Sequence, residues 1–294
     1  MTQQIPEATR PPTVAAQPFA EAALLHPEAA QPLPETAQPL IVAADVSAGY
    51  RGAKIISGIN LRVAEGERVS IIGPNGCGKT TLLKAICKLI PLMGGDVFIR
   101  GENISAIGRK KLANSISMMA QISEQWFDFT VFDTVLMGRY SKRRGALSTD
   151  TSEDLRIVEE CLRTVGMLGQ ANDSITWLSA GQRQRVMLSR AFAQEPGIIV
   201  LDEPTNHLDL KHQAELFDHL QTWVSKPGRA VIQVMHDLNF ARMYSDRVIL
   251  MHGGKLIAEG MPENVMNIDA LDDAYGFNIR QFMHSSLKLW EDGT

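Results

Sequence analysis

The stretch at 73–80 reads Gly-Pro-Asn-Gly-Cys-Gly-Lys-Thr and constrains the fold of this chain more than any other segment. A short apolar run at 68–72 precedes it, and apolar side chains at helical spacing follow it up to residue 89. A strand, a glycine-rich turn and a helix in this order bring backbone N–H groups and the positive end of the helix dipole onto a phosphate. The glycines permit the close approach because they carry no Cβ atom. The sequence therefore predicts a phosphate-binding loop in an α/β fold.

The end of this loop carries side chains suited to a nucleotide. In loops of this pattern the lysine ammonium reaches the β- and γ-phosphates, and the hydroxyl of the next residue ligates Mg²⁺. We therefore predict ATP and Mg²⁺ as cofactors. The predicted nucleotide-binding residues here are Gly73, Pro74, Asn75, Gly76, Cys77, Gly78, Lys79, Thr80 and Thr81, of which Thr80 is also a metal ligand. We expect Cys77 to be a small residue that fits the loop, with a redox role as the alternative.

Two adjacent acids, Asp202 and Glu203, follow a continuous apolar run at 198–201. Open α/β sheets bind ligands at the carboxyl ends of their strands, so both acids are expected at the edge that carries the phosphate loop. Asp202 is predicted to join the Mg²⁺ shell, and Glu203 to polarise the attacking water as a general base. Alone, the pattern also fits an acidic loop after a core strand. The phosphate loop makes the catalytic interpretation the stronger one.

Runs of apolar residues predict the strands of the fold. They lie at 41–46, 55–63, 96–100, 115–119, 198–201, 230–234, 248–251 and 255–259. The last two flank a pair of glycines and are expected to form a hairpin. Helical patterns separate the later strands, which predicts a mostly parallel sheet with helices on both faces. We therefore expect the RecA-like α/β core of a P-loop NTPase, with an antiparallel β part at the N-terminal end.

The region at about 122–178 is predicted to be an inserted helical subdomain. Within it, the spacing of Leu155, Val158, Leu162 and Val165 predicts a helix with these four side chains on one face. The insertion is short.

Residues 1–40 differ in composition from the rest of the chain. Eight prolines interrupt an Ala-, Gln- and Glu-rich stretch, and proline both removes a backbone donor and blocks helix continuation. We predict a disordered extension at 1–40, a nucleotide-binding domain at 41–275 and a C-terminal tail at 276–294. The extension fits either a dispensable tail or a partner-binding arm.

Net charge, hydropathy and cysteine spacing limit the partners and the location expected for the protein. The net charge of −4 supplies no overall basic field for nucleic acid, so none is expected as a partner. No run approaches the roughly 18 apolar residues that a membrane span needs, and the N-terminus lacks the apolar stretch of a signal peptide. A cytoplasmic location is expected. The three cysteines show no CxxC spacing and are expected to be reduced thiols.

The segment Leu-Ser-Ala-Gly-Gln at 178–182 is expected to begin a helix. Ser179 is a favoured N-cap residue and Gly181 leaves backbone donors exposed, which suits an anion. The pentapeptide resembles the Leu-Ser-Gly-Gly-Gln signature of ATP-binding-cassette (ABC) proteins. With the phosphate loop and the two acids, this resemblance is specific and covers about residues 41–260. Ala180 replaces a glycine of the family pattern. A modest effect is expected because the backbone N–H remains.

The resemblance implies a composite site formed by two copies of the chain. In this family the signature faces the nucleotide of the other subunit, so Ser179, Gly181 and Gln182 are expected to contact ATP in trans. Asp209 resembles the short loop that links the two sites. The implied partner is a second copy, in a homodimer that encloses two ATP molecules.

Three further residues gain a role from the resemblance. Gln121 matches the switch-loop glutamine that touches Mg²⁺ or the attacking water; alone, it would be a surface side chain. His236 matches the residue that holds the γ-phosphate and supports Glu203, whereas a lone histidine is otherwise structural. Tyr50 matches the aromatic residue that stacks on adenine. Its alternative is a half-buried aromatic at a strand end.

Within the family, the sequence looks most like the ATPases of ferric-siderophore, haem and cobalamin importers. This weaker resemblance rests on the segments 137–140, 206–213 and 234–239. It implies ATP hydrolysis coupled to uptake, integral membrane permease subunits, an extracytoplasmic substrate-binding protein and a location on the cytoplasmic face of the inner membrane. Importers of molybdate, zinc or manganese share much of the pattern, so the sequence does not name the substrate.

Two questions stay open: where three aromatic side chains lie, and which functional class the protein belongs to. The aromatic residues Trp126, Phe127 and Phe129 fit a core cluster and a groove for a permease helix equally well. A soluble family member acting on ribosomes or DNA is a second functional class, and an exporter's nucleotide domain is a third. The single phosphate loop and the short helical insertion favour the importer.

Overall fold

The computed structural model describes residues 39–120, 128–143, 149–206 and 208–291. The N-terminal extension predicted from composition lies almost wholly outside these ranges, as do Gln121, Trp126 and Phe127. Among the described residues, no helix combines the length and apolarity needed to cross a bilayer.

The strands of the described ranges form two sheets. Their bounds are Pro39–Tyr50 (β1), Ala53–Ala64 (β2), Arg68–Ile72 (β3), Leu92–Ile99 (β4), Glu102–Asn103 (β5), Ile116–Met119 (β6), Ile198–Asp202 (β7), Ala230–Val234 (β8), Arg247–His252 (β9) and Lys255–Gly260 (β10). The first sheet is antiparallel, in the order β2-β1-β4-β5. The second has the order β10-β9-β3-β8-β7-β6 and is parallel except for the β9–β10 hairpin. The predicted α/β class with an antiparallel N-terminal part is confirmed.

Helices cover both faces of the larger sheet, as predicted. Their bounds are Lys79–Ile86 (α1), Arg109–Ser115 (α2), Val131–Leu136 (α3), Ser152–Thr164 (α4), Ala180–Ala193 (α5), Leu210–Val224 (α6), Leu238–Tyr244 (α7), Pro262–Val265 (α8), Asp269–Tyr275 (α9) and Ile279–Glu291 (α10). Short 3₁₀ helices lie at Met137–Lys142, Leu168–Gln170 and Ile175–Trp177. Helices α3, α4 and α5 pack on one another between β6 and β7, where the sequence predicts the helical insertion.

The larger sheet separates two hydrophobic cores, because successive residues of a strand point to opposite faces. In β7, Ile199 and Leu201 belong to the core formed with α3 to α10. Ile198 and Val200 belong to the core formed with α1 and the antiparallel sheet. All four side chains are fully buried, which explains why this strand reads as a continuous apolar run.

The four predicted apolar side chains of α4 share one face, but that face is not buried throughout. Val158, Leu162 and Val165 are buried, whereas Leu155 is 39% exposed. At about 100° per residue, the three buried side chains define a face that extends round to Ile157, which is also buried. Leu155 lies at the opposite edge of that face.

The segment predicted as a C-terminal tail contains helix α10. The Arg280 guanidinium ties this helix to α9 through Asp269 at 2.5 Å and Asp272 at 2.7 Å. In turn, α9 packs on β9 and buries Leu271 and Ala274 in the core formed with α3 to α10, the helix-side core. The last helices therefore lie against the sheet that carries the phosphate loop.

Candidate active site

The phosphate loop joins β3 to α1 and is held between β2 and β9. Gly78 is the N-cap of α1 with φ of 107°, a left-handed conformation that favours glycine. A Cβ atom on Gly78 would lie 2.5 Å from Cγ2 of Ile56, and one on Gly73 would lie 2.1 Å from the carbonyl oxygen of Met251. Both contacts are too short for any side chain. Gly73 and Gly78 are therefore required by packing as well as by the turn.

The Lys79 ammonium lies inside the curve of this loop. Its Nζ donates hydrogen bonds to the carbonyl oxygens of Gly73 at 2.8 Å and Pro74 at 2.9 Å. The side chain is only 6% exposed, whereas Asn75 and Gly76 lie exposed at the tip of the loop. The loop thus holds a fixed positive charge beneath an accessible row of backbone N–H groups, the arrangement that binds a phosphate.

Cys77 is buried in the loop, with its Sγ 4.0 Å from Lys79 Nζ. Burial raises the pKa of the Cys77 thiol above its ordinary value, and this outweighs the opposing effect of the Lys79 charge. The thiol therefore stays protonated at neutral pH and is a poor nucleophile. Its environment favours the packing role over the redox role.

Thr80 and Asp202 meet at the carboxyl edge of the sheet. The Thr80 hydroxyl donates to Asp202 Oδ1 at 3.0 Å. Asp202 is 1% exposed, and its other oxygen, Oδ2, is buried without a hydrogen-bond partner among the described residues. Burial raises the pKa of this carboxyl. A buried carboxylate oxygen left unpaired beside a hydroxyl fits the oxygen ligands that Mg²⁺ prefers.

Both carboxylate oxygens of Glu203 have partners. Oε1 forms a hydrogen bond with Nε2 of His236, and Oε2 accepts one from Nδ2 of Asn206 at 2.5 Å. The Glu203 side chain is 16% exposed, so water can still reach it. The carboxylate is therefore oriented in advance, as a general base must be.

The backbone at Glu203 is strained and clamped. Its φ is 55°, a left-handed conformation that is unusual outside glycine and is found most often at functional sites. The amide of Gln184 on α5 donates to the carbonyl oxygens of Pro204 at 2.9 Å and Glu203 at 3.4 Å. This buried glutamine links the helix of the signature segment to the loop that carries the two acids.

The signature segment begins α5. Ser179 is the N-cap: its hydroxyl accepts from the Gln182 N–H at 3.2 Å, and the Gln182 side chain accepts from the Ser179 N–H at 2.8 Å. This reciprocal cap confirms the predicted helix start. Gly181 follows in the first turn. Asp209 likewise caps α6, accepting from the His212 N–H at 2.9 Å.

Tyr50 lies at the end of β1, paired with Ala53 across the hairpin turn, and is 42% exposed. Ile56 of the same hairpin closely approaches Gly78, so the exposed ring lies at the end of a hairpin that borders the phosphate loop. Gln121 lies outside the described residues. Within one chain, the structure pairs Thr80 with Asp202 and Glu203 with His236. The hydrogen bonds of Ser179 and Asp209 described above only cap their own helices.

Sequence reasoning missed Asn206, Gln184 and Tyr275 as residues of this site. Asn206 lies only three positions past Glu203, whose Oε2 it contacts. Gln184 lies two positions past the signature segment, on the buried face of α5, and that spacing was available as a signal. Tyr275 has no such signal. Its hydroxyl accepts a hydrogen bond from the Gly73 N–H at 3.1 Å, although 202 positions separate the two residues.

Comparison with known proteins identifies the family of this chain. A family model described as "ABC transporter" matches residues 56–206. The chain is 36% identical over 79% of its length to the probable siderophore transport system ATP-binding protein YusV of Bacillus subtilis, covering 84% of that protein. It is also 36% identical over 83% of its length to the uncharacterized ABC transporter ATP-binding protein YvrA of the same organism, but spans only 55% of that relative. Other relatives are named for import of petrobactin, ferric enterobactin, hydroxamate iron or hemin.

Among solved structures, the dimeric bacterial ABC transporter cassette MJ0796 is 30% identical to this chain, with a TM-score of 0.69. The match covers 76% of this chain and 98% of that one. This chain belongs to the ABC transporter family, whose ATP-binding subunits bind nucleotide and hydrolyse ATP to power transport.

Proposed function

We propose that this chain is the ATPase subunit of an importer that couples ATP hydrolysis to uptake of an iron–siderophore, haem or cobalamin-type substrate. The ATPase part is carried by Glu203, whose carboxylate is oriented by His236 and Asn206 next to the Thr80–Asp202 pair. The importer part is supported by relatives whose names specify siderophore or hemin import. Separate permease subunits and an extracytoplasmic substrate-binding protein complete the proposed system, at the cytoplasmic face of the inner membrane.

The chemistry assigned to this chain is positioning and proton transfer. Lys79 and the loop N–H groups hold the β- and γ-phosphates. Glu203 accepts a proton from a water molecule whose oxygen attacks the γ-phosphorus, while the bond from that phosphorus to the β,γ-bridging oxygen breaks and ADP leaves. His236 orients the carboxylate through Nε2, and the family resemblance implies that it also lies next to the γ-phosphate. Bound to Thr80 and Asp202, Mg²⁺ would neutralise phosphate charge, and Gln121 is proposed as a further ligand. Tyr50 is proposed to stack on the adenine.

The substitution Glu203→Gln tests the ATPase assignment, because it removes the base and keeps the size of the side chain. We expect ATP affinity within about threefold of wild type and turnover at least about 100-fold lower, since general-base catalysis contributes roughly 10²–10⁴-fold. The matched control is Glu263→Gln, at an exposed position of α8. Undiminished turnover in Glu203→Gln would remove the proposed role.

We also propose that Ser179, Gly181, Gln182 and Asp209 complete the site of a second copy in an ATP-bound homodimer. The support is the exposed N-terminus of α5 and the likeness to a dimeric cassette. A capped helix start with free N–H groups attracts the γ-phosphate of the opposing nucleotide. Hydrolysis would then depend on dimerisation.

Two substitutions at Ser179 separate charge from helix capping. Aspartate and asparagine cap helices about as well as serine, so both variants should fold with wild-type stability. In a Glu203→Gln background, Ser179→Asn should still form the ATP-dependent dimer. Ser179→Asp should weaken it at least about tenfold, because a carboxylate would face the γ-phosphate. Light scattering after size exclusion measures this, and equal dimerisation of both variants would exclude the trans contact.

The permease contact is proposed to lie on the helical region between β6 and β7. There Phe129 is 44% exposed and Trp177 is 81% exposed. Their segments are adjacent, because the Ile175 N–H donates to the Phe129 carbonyl oxygen at 2.9 Å. Trp126 and Phe127, which by sequence fit this surface and a core cluster equally well, lie outside the described residues. Exposed aromatic residues of this kind anchor protein interfaces.

Purification from detergent-solubilised membranes tests the importer assignment. Recovery of a polytopic membrane protein with the tagged chain is expected, and Trp177→Glu should reduce it at least about fivefold while isolated ATPase activity is retained. The control is Phe282→Glu, on the exposed face of α10. Recovery of ribosomes or DNA instead would support the soluble class and overturn the importer.

A further inference from the structure

The first glycine of the phosphate loop is held from two sides. Its carbonyl oxygen accepts a hydrogen bond from Lys79 Nζ at 2.8 Å, within the loop. Its N–H donates to the hydroxyl of Tyr275 at 3.1 Å. That second partner belongs to α9, at the far end of the chain. The Ile72–Gly73 peptide, where β3 becomes the loop, is therefore fixed by a side chain from outside the motif.

The Tyr275 hydroxyl is itself placed by rigid parts of the fold. Its ring packs against the helix-side core, and the neighbouring Ala274 is buried. The Ala274 carbonyl oxygen lies 3.1 Å from Nδ1 of His252, the last residue of β9. Met251, also in β9, closely approaches Gly73. Strand β9 and helix α9 thus form one support beneath the loop.

Burial also keeps the Tyr275 hydroxyl protonated. It raises the pKa of Tyr275 to about 12, so the phenol remains protonated at neutral pH. A neutral phenol accepts the Gly73 N–H with a lone pair and retains its own proton. The contact is therefore a constant feature of the folded protein and does not vary with pH near neutrality.

We propose that Tyr275 is a positioning residue that sets the geometry of the phosphate loop and thereby the affinity of the chain for ATP. Loop N–H groups bind phosphate well only when they already point at it, and the hydroxyl of Tyr275 limits how far the first peptide of the loop can rotate. The inference rests on the proposed function to the extent that ATP is the ligand of this loop. It assigns a nucleotide-affinity role to the C-terminal segment.

The substitution Tyr275→Phe tests this, because it keeps the ring and removes the acceptor. We expect the KM and the Kd for ATP to rise three- to tenfold and kcat to stay within twofold of wild type. A purely structural role would instead lower the melting temperature and the active fraction, and so reduce kcat at unchanged KM. The matched control is Tyr244→Phe, whose ring stacks on Phe217 away from the loop, and it should change neither constant.

Hydrogen exchange gives a second readout that does not need turnover. Without nucleotide, the Gly73 amide of the wild type should exchange more slowly than the amides of Asn75 and Gly76, which are exposed. In Tyr275→Phe that protection should fall at least about fivefold while the protection of β3 is kept. A Gly73 amide that is unprotected in the wild type would overturn the inference even if the variant failed to fold.

The two proposals fail in different ways. If the wild type binds no ATP, the proposed function fails and this inference fails with it. If the wild type binds and hydrolyses ATP, but Tyr275→Phe has the wild-type KM and Kd, only the inference is overturned.

Discussion

Nε2 of His236 and a carboxylate oxygen of Glu203 form a hydrogen bond that bridges the carboxyl ends of two neighbouring parallel strands. Glu203 follows β7 directly, and His236 lies two residues past β8. Because the two strands pair side by side, their ends bring the base and its orienting group into contact without any loop rearrangement. The positive φ of Glu203 is part of this geometry.

The substitution His236→Ala should disturb the orientation of the Glu203 carboxylate and leave ATP binding nearly unchanged. We expect kcat to fall about 100-fold and the Kd for ATP to change less than about threefold, because the phosphate loop is untouched. Steady-state ATPase rates and equilibrium nucleotide binding measure the two effects. The control is His284→Ala, at an exposed position of α10, which should leave both values unchanged. A loss of affinity as large as the loss of turnover would contradict the assignment.

The substitution Asp202→Asn should raise the Mg²⁺ concentration that half-saturates ATP hydrolysis at least about tenfold. The reason is that a neutral amide replaces the carboxylate whose Oδ2 has no hydrogen-bond partner in the part of the chain that the structure describes. The metal-free protein should not lose more than about 1 kcal/mol of unfolding free energy, because burial already disfavours the charged carboxylate. Magnesium titration and urea unfolding give the two values, with the exposed Asp96→Asn as control. An unchanged magnesium requirement would exclude Asp202 as a ligand.

The substitution Arg139→Met should lower the unfolding free energy by about 3–5 kcal/mol. The Arg139 side chain is 6% exposed and bonds Asp154 at 2.8 Å and Glu195 at 2.7 Å, so its removal leaves a buried charge unpaired. The control is Arg156→Met. Arg156 pairs with two acids on the surface, 54% exposed, and its loss should cost less than about 1 kcal/mol. Urea unfolding of both variants measures the difference, and equal costs would contradict the prediction.

Because of Asp154, the free energy of unfolding should fall as the pH is lowered. Burial alone would raise the pKa of Asp154, but hydrogen bonds from Arg139 and Thr151 outweigh it and lower the pKa to about 2, from 3.8. Between these values the unfolded chain binds the proton more tightly. The stabilisation is therefore complete above about pH 5 and is lost as the pH falls towards 2, amounting to about 2–3 kcal/mol.

The variant Asp154→Asn isolates this contribution. The difference in unfolding free energy between wild type and variant should shrink as the pH is lowered from 5 to about 2.5. A difference that stays constant, or grows, would show that the Asp154 pKa is not depressed by folding.

Local patterns explain what the sequence could predict. The loop at 73–80, the Ser179 helix cap and the β9–β10 hairpin each depend on residues within a few positions of one another. The meeting of Thr80 with Asp202 followed from one rule, that parallel strands end at a common edge. The fold class and the family were predictable for the same reason.

Contacts between elements that are distant in the chain could not be predicted from the sequence. No periodicity links Tyr275 to Gly73, because the first lies on a short C-terminal helix and the second in a loop. Four apolar residues at helical spacing define a stripe on α4 but not its edges, so the spacing could not show that Leu155 is exposed. The trans roles of Ser179 and Asp209 depend on a second chain and stay predictions.

The order of strands in the larger sheet has a consequence for biosynthesis. Strand β3, which carries the phosphate loop, pairs with β8 and β9 and with no strand made before it in that sheet. During translation β3 leaves the ribosome long before either neighbour exists. The contacts that hold the loop from β9 and from Tyr275 can form only once the chain has been made to about residue 275, where α9 ends. The long wait for non-local pairing exposes an apolar strand to aggregation.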